Sequence, residues 1–104
     1  MKRIGRYKIK NLDCHIREWF DKHAGNSYFS GRIVVNFSEK SEKTLFLPFQ
    51  YGYGSAWEAA AQEALGWKEP LFWTTCSQHG IVLRVNREYT TKKLAKDFGN
   101  DPRK

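Results

Sequence analysis

From Tyr28 to Phe37, in "YFSGRIVVNF", Phe29, Ile33, Val35 and Phe37 fall on one side and Tyr28, Ser30, Arg32 and Asn36 on the other. That period of two, carried by β-branched and aromatic residues, marks a strand with one buried face. Such a strand needs neighbours along its edges and a second layer over its apolar side. The following residues supply both. "SEKSEK" (38–43) is a polar hairpin loop, and Thr44 to Tyr51 returns with Leu45, Leu47, Phe49 and Tyr51 on one face. Pro48 lacks the N–H that a ladder requires, so the return strand belongs at a sheet edge or breaks there. Gly31 leaves a gap on the apolar face, which points to a bulge or to the close approach of another element.

The second layer follows directly in "YGYGSAWEAAAQEALG". Ser55 and Glu58 have the spacing of a capping box, in which hydroxyl and carboxylate satisfy backbone N–H groups reciprocally. Trp57, Ala60, Ala61, Ala64 and Leu65 repeat at helical spacing, and Gly66 stands where a left-handed residue ends a helix. Alanines let the helix axis come close to a sheet, with Trp57 and Leu65 as anchors at either end.

Elsewhere the pattern is coarser. Residues 7–20 read as an extended strand kinked near Asn11-Leu12-Asp13, with a short amphipathic helix over 12–23 as the rival. After Pro70, Leu71 to Ser77 reads as a strand, Gln78-His79-Gly80 as a turn and Ile81 to Tyr89 as another strand. The expected fold is α+β: one domain, an antiparallel sheet of about five strands in the order β-β-β-α-β-β, and one alanine-rich helix on one face. Residues 1–6 and 91–104 are expected to be frayed basic tails.

The chain has 104 residues and a net charge of +7, and the charge is unevenly placed. Residues 1–10 hold five Lys or Arg and no acid, and the stretch from Arg84 onward is also basic, whereas residues 11–83 are slightly acidic. Basic ends are handles for polyanions: nucleic acid, an acidic protein face or, less readily, anionic lipid. They serve solubility equally well. With no apolar run of membrane length and no signal peptide, a cytoplasmic protein is expected.

Candidate reactive groups are sparse. Cys14 and Cys76 are too few for a disulfide framework, and in a reducing compartment they read as small buried apolar residues. Cys14-His15 and Cys76-x-x-His79 contain the donors of a zinc site, but adjacent residues on a strand point to opposite faces. No G-x-S-x-G surrounds Ser55, and no paired carboxylates stand out. Neither an enzyme nor a cofactor is expected.

Rings and cations make the best functional lead. The binding candidates are Lys2, Arg3, Arg6, Lys8 and Lys10 at one end and Lys92, Lys93 and Lys96 at the other. Arg32, Tyr51, Tyr53, Trp73, Arg84 and Arg87 complete the set. A sheet surface of this chemistry would stack bases and neutralise phosphates. It would equally anchor a protein partner, or its rings would simply complete the core.

Two resemblances bear on these alternatives. "YFSGRIVVNF…KTLFLPFQYGYGSAWEAAAQEALG" is similar in layout to the second half of a double-stranded-RNA-binding domain, where strands lead through a Gly-x-Gly-Ser step into an alanine-rich closing helix. Gly52, Gly54, Ser55, Ala60, Ala61, Ala64 and Leu65 carry the likeness, but Ala56 and Trp57 stand where that family places phosphate-gripping lysines. "GNSYFSGRI" with "LPFQYGYG" resembles small accessory proteins of phages and prophages. That likeness implies a compact accessory protein made in a bacterial cell, of a kind that acts by binding host machinery, including defence systems. The expected function is binding to nucleic acid through the basic ends and the ring-and-arginine surface; the alternative is inhibition of a host protein such as a defence component.

Overall fold

The computed structural model describes residues 2–69 and 71–103. A two-stranded hairpin, β1 (Arg3–Ile4) and β2 (Tyr7–Lys8), precedes the long strands β3 (Asn11–Asp21), β4 (Asn26–Val35) and β5 (Lys43–Tyr51). Two helices follow, α1 (Ala56–Leu65) and α2 (Phe72–Gln78), then β6 (Val82–Tyr89) and a last helix, α3 (Lys92–Phe98). The main sheet runs β5-β4-β3-β6, so β5 and β6 are its edges. The α+β class holds, with α1 on one face of the sheet.

Three features of the expected architecture change. First, β6 pairs with β3 in parallel, so the sheet is mixed and its main body has four strands. Parallel pairing requires a crossover of a dozen or more residues. Residues 52–81 provide it, carrying the chain from one sheet edge to the other across the apolar face. Second, the segment read as a strand over 71–77 is α2. Phe72, Thr75 and Cys76 are its buried residues, a helical i, i+3, i+4 set, while Thr74 and Trp73 face outward. The aromatic and β-branched content suggested a strand, and packing under the crossover decided otherwise. Pro70, expected to open this segment, lies outside the described residues.

Third, the terminal segments are structured. β1 and β2 pair with each other, and Lys2 ties the hairpin to the α1–α2 connection. Its Nζ lies 2.5 Å from a Glu69 carboxylate oxygen and 5.4 Å from the Trp67 ring centroid. At the other end α3 packs on the sheet face opposite α1. Its signals are a Thr91 side chain that accepts from the Leu94 N–H (3.3 Å) and Gly99 at the close.

The core lies between the sheet and the two crossover helices. Leu12, Cys14 and Ile16 of β3, Phe29, Ile33 and Val35 of β4 and Leu47 of β5 meet Trp57, Ala61, Leu65, Phe72 and Cys76. The strand reading of 12–20 therefore prevails over the helical rival. Gly31 supplies the close approach expected of it: a Cβ there would stand 2.8 Å from Ile16 Cδ1 and 3.0 Å from the His15 carbonyl oxygen. On α1 the buried stripe is Trp57-Ala61-Leu65. Ala60 is half-buried and Ala64 exposed, where they line a shallow groove against Leu47 and Pro48.

The two ends of α1 behave differently from each other. The expected capping box does not form: Ser55 occupies the N-cap position but makes no side-chain cap bond, because its backbone (φ −89°, ψ 8°) is already turned. Its carbonyl instead accepts from the Glu58 N–H at 2.9 Å. At the far end Gly66 is left-handed (φ 73°), with Trp67 N–H to Gln62 O (2.9 Å) and Gly66 N–H to Glu63 O (3.1 Å) closing the helix. That is the paired-bond termination glycine favours.

Candidate nucleic-acid interface

The sheet face away from α1 is built from the alternate residues that the core does not use. Asp13, His15, Arg17 and Trp19 of β3 stand beside Val34, Arg32, Ser30 and Tyr28 of β4. β5 contributes two halves that are out of phase. Phe29 opposes Gln50 and Gly31 opposes Leu47, so Pro48 and Phe49 together face the single residue Ser30. An inserted residue of this kind reverses which side the following residues occupy. Leu45 and Leu47 therefore face the core, while Phe49 and Tyr51, expected on the same side as those leucines, turn to the opposite face. Pro48 does mark a break on an edge strand, and the break relocates two rings.

The relocated rings complete an aromatic patch across three strands. Trp19 and Tyr28 lie 5.6 Å apart between centroids, and Tyr28 stacks on Phe49 at 5.3 Å with planes 8° apart. Tyr51 meets Tyr28 edge-on at 5.8 Å. Trp19, Tyr28 and Phe49 are half-buried, whereas Tyr51 is 60% exposed. Two exposed lysines of α3 reach over this patch, Lys92 Nζ 5.3 Å from the Trp19 centroid and Lys96 Nζ 5.6 Å from that of Phe49. Such ammonium–ring contacts contribute about 0.5–1 kcal/mol each at exposed sites. They hold positive charge at the rim of a ring surface.

α3 is fixed in place by its C-terminal turn. Phe98 lies between two guanidinium groups, Arg32 at 4.3 Å and Arg17 at 4.5 Å from its centroid. Arg32 Nε donates to the Phe98 carbonyl at 2.9 Å, and the Ser30 hydroxyl donates to that of Ala95 at 2.5 Å. Gly99 lets the backbones touch: a Cβ there would lie 2.5 Å from the Leu47 carbonyl oxygen.

The residues singled out from the sequence divide into separate groups. Tyr51, Lys92 and Lys96 converge on the aromatic patch, and Lys93 is exposed on the same helix. Arg32 adjoins the patch but is engaged in docking α3. Arg84, on the outer face, lies 3.5 Å from Asp13. Arg87 stands on the other side, where its partner Ile16 places it, and pairs with Glu18 at 2.5 Å. That hydrogen bond raises its already high pKa against the opposing effect of burial. Trp73 is 52% exposed on α2 beneath the opposite face, edge-on to Trp57, and Tyr53 is 71% exposed ahead of α1. Lys2, Arg3, Arg6, Lys8 and Lys10 belong to the N-terminal hairpin and its continuation, with Lys10 paired to Glu39 at 3.0 Å.

Tyr28 and Phe49 are readable from the sequence as strand residues and Trp19 lies within the stretch 7–20 read as a strand, and only the register brings the three together. Phe98 is not among the residues singled out from the sequence, and Asn36, read on the polar side of its strand, is buried. Asn36, fully buried with φ 55°, links the start of β3 to the hairpin loop. Its Oδ1 accepts from the Lys10 N–H (2.7 Å), and its Nδ2 donates to the Lys8 carbonyl (2.9 Å) and Ser41 Oγ (3.0 Å). The signal available for it was an asparagine at the strand-to-loop junction, where left-handed backbone is commonest for that residue.

The thiols are chemically quiet. Burial pushes Cys14 up to about 12, with Cys76 and Asp13 adding to the shift, and pushes Cys76 up to about 11. A thiol that stays protonated is a poor nucleophile and a poor metal ligand at neutral pH. The two residues sit on a strand and a helix, not on neighbouring strands. Among the described residues no group of three or more His, Cys, Asp or Glu is placed to hold a metal ion. Nor is any helix among them long and apolar enough to cross a membrane.

No family model, curated protein or solved structure matches the chain.

Proposed function

We propose that the protein binds nucleic acid on the sheet face that carries Trp19, Tyr28, Phe49 and Tyr51, with bases stacking at the Tyr51 end and the lysines of α3 taking phosphates. One observation carries this reading: a ring patch assembled from three strands is rimmed by Lys92 and Lys96 and left open at Tyr51. Rings supply stacking that tolerates any base, and lysines supply attraction that depends on salt. The +7 charge of the chain acts in the same direction at longer range. The proposed activity is binding without catalysis, in a bacterial cytoplasm if the phage-type resemblance holds.

The test is an electrophoretic shift with short single-stranded and duplex oligonucleotides, titrated with salt. Tyr51→Ala is expected to weaken binding roughly fivefold or more, since a stacked base contributes about 1–3 kcal/mol. Replacing Lys92 and Lys96 together by Gln is expected to flatten the log–log salt dependence by about 0.7–0.9 per lost phosphate contact. Absence of any shift at low salt refutes the proposal, as does full affinity in Tyr51→Ala. A second reading, docking on a host protein, is favoured by Trp73, half-exposed on the other side of the sheet. It predicts a complex that survives high salt and is weakened by Trp73→Ala but not by Tyr51→Ala.

A further inference from the structure

The two edges of the main sheet are guarded very differently. β5 carries Pro48 and a bulge, both of which discourage a further strand. β6 carries neither, nor a glycine, and keeps an unbroken register with β3 from Val82 to Tyr89. Its outer positions are open to solvent: Val82 is 54% and Tyr89 78% exposed. α3, which follows it, packs on β3, β4 and β5.

The hydrogen-bond phase of this edge is fixed by its ends. The Val82 N–H donates to the Lys10 carbonyl at 3.0 Å and the Thr90 N–H to that of Glu18 at 2.8 Å. Because a parallel ladder alternates, the even-numbered residues 82 to 90 bond inward. Leu83, Val85, Arg87 and Tyr89 then present both N–H and C=O to the free edge. Antiparallel addition of an identical strand must set these outward residues opposite one another, so a two-fold axis has to pass through a residue position. An axis at Arg84 or Arg87 puts like charges face to face, and one at Val85 sets Arg84 against Asn86. An axis at Asn86 sets Arg84 against Glu88 of the second copy twice over, and Leu83 against Tyr89. The side chains of Arg84 and Glu88 are 66% and 59% exposed. Their contacts within the chain are loose, 3.5 Å to Asp13 and 3.8 Å to Arg17.

We infer that two copies of the chain pair through β6, antiparallel and centred on Asn86, to form one continuous eight-stranded sheet. The axis is perpendicular to the sheet, so the two aromatic patches come to lie on the same side of the dimer. The inference does not rest on nucleic-acid binding, and its test contains no nucleic acid.

Sedimentation velocity of the purified full chain at physiological salt, from sub-micromolar to high micromolar concentration, reads the association directly. The wild type is expected to approach twice the monomer mass. Arg84→Glu and Glu88→Arg should each weaken self-association at least tenfold, because each sets like charges across the axis. An equimolar mixture of the two variants should recover the dimer, since every cross-axis pair is then opposite in sign. The contacts within the chain, to Asp13 and Arg17, are not restored by mixing. As a measurement free of substitutions, hydrogen exchange at the Val85 and Arg87 amides should slow as wild-type concentration rises. A wild type that stays monomeric, a folded pair of variants whose mixture stays monomeric, or exchange at those amides that ignores concentration overturns the inference. An edge that serves a foreign strand instead gives the first of these results.

Discussion

Replacing Gly99 by alanine sets two known effects against each other, and the structure decides between them. Gly99 has φ −84°, a conformation that any residue adopts. At such a site alanine normally stabilises by about 0.4–1 kcal/mol, because it restricts the unfolded chain. Here, however, the new Cβ would meet the Leu47 carbonyl oxygen at 2.5 Å, the Ser30 Cβ at 2.8 Å and the Phe49 backbone nitrogen at 3.1 Å. Two of those three atoms belong to the backbone of β5 at its bulge, so no side-chain rotation relieves the contact. Overpacking of this kind costs roughly 1–3 kcal/mol. The expected net loss is about 1–2 kcal/mol, or roughly 4–15 °C in Tm for a chain of this size. Urea denaturation followed by tryptophan fluorescence measures the loss. Limited trypsin digestion at Lys92, Lys93 and Lys96 shows whether α3 is released. A Gly99→Ala protein as stable as the wild type, or more stable, would mean that α3 does not lie against the bulge and that the outer face is bare.

Other expectations follow from buried polar groups. Asn36→Ala strands the Lys10 N–H and the Lys8 carbonyl and leaves an alanine at φ 55°, so a loss of about 2–4 kcal/mol is expected by chemical denaturation. Asn36→Gly, which accepts the backbone but not the bonds, should recover only part of it. The raised thiol pKa values make stability depend on pH on the alkaline side. Both folded-state values exceed the ordinary 9.0, so their contribution is complete below pH 9 and declines as pH rises toward 11 and then 12. A wild type that loses no more stability than Cys76→Ala between pH 9 and 11 would refute the burial of that thiol, and rapid reaction of the native protein with a thiol reagent at pH 7 would refute it independently.

The sequence was most legible where one periodicity had no competitor. Residues 29–35 could satisfy period two only as a strand with Phe29, Ile33 and Val35 inward, and the i, i+3, i+4, i+7, i+8 set of Trp57, Ala60, Ala61, Ala64 and Leu65 fits a helix face and not the period of two of a strand. Gly66 and Pro48 were readable because each acts through its own backbone geometry. Legibility failed where two patterns fitted the same residues. "LFWTTCS" has strand-forming side chains at helical spacing, and the need for a crossover settles it as α2. Thr91, the Leu94-Ala95-Phe98 spacing and Gly99 are helix start and stop signals, yet seven residues with a single buried alanine cannot hold a helix alone. Contacts with distant strands hold α3 in place: the Arg17 and Arg32 side chains on Phe98, the Ser30 hydroxyl on Ala95, and the Trp19 and Phe49 rings under Lys92 and Lys96.

What the chain's own order of residues determined is therefore local: which stretches are half-buried strands, where α1 ends, and that positive charge gathers toward both termini. Tertiary structure alone decided the partners. The parallel seating of β6, the placement of α3 and the union of Trp19, Tyr28, Phe49 and Tyr51 each depend on the register between segments far apart in the chain. One inserted residue at the β5 bulge is enough to move two rings from one face of the sheet to the other. Periodicity records which side of its own strand a side chain takes; how strands are offset against each other is set by the packing of all of them at once.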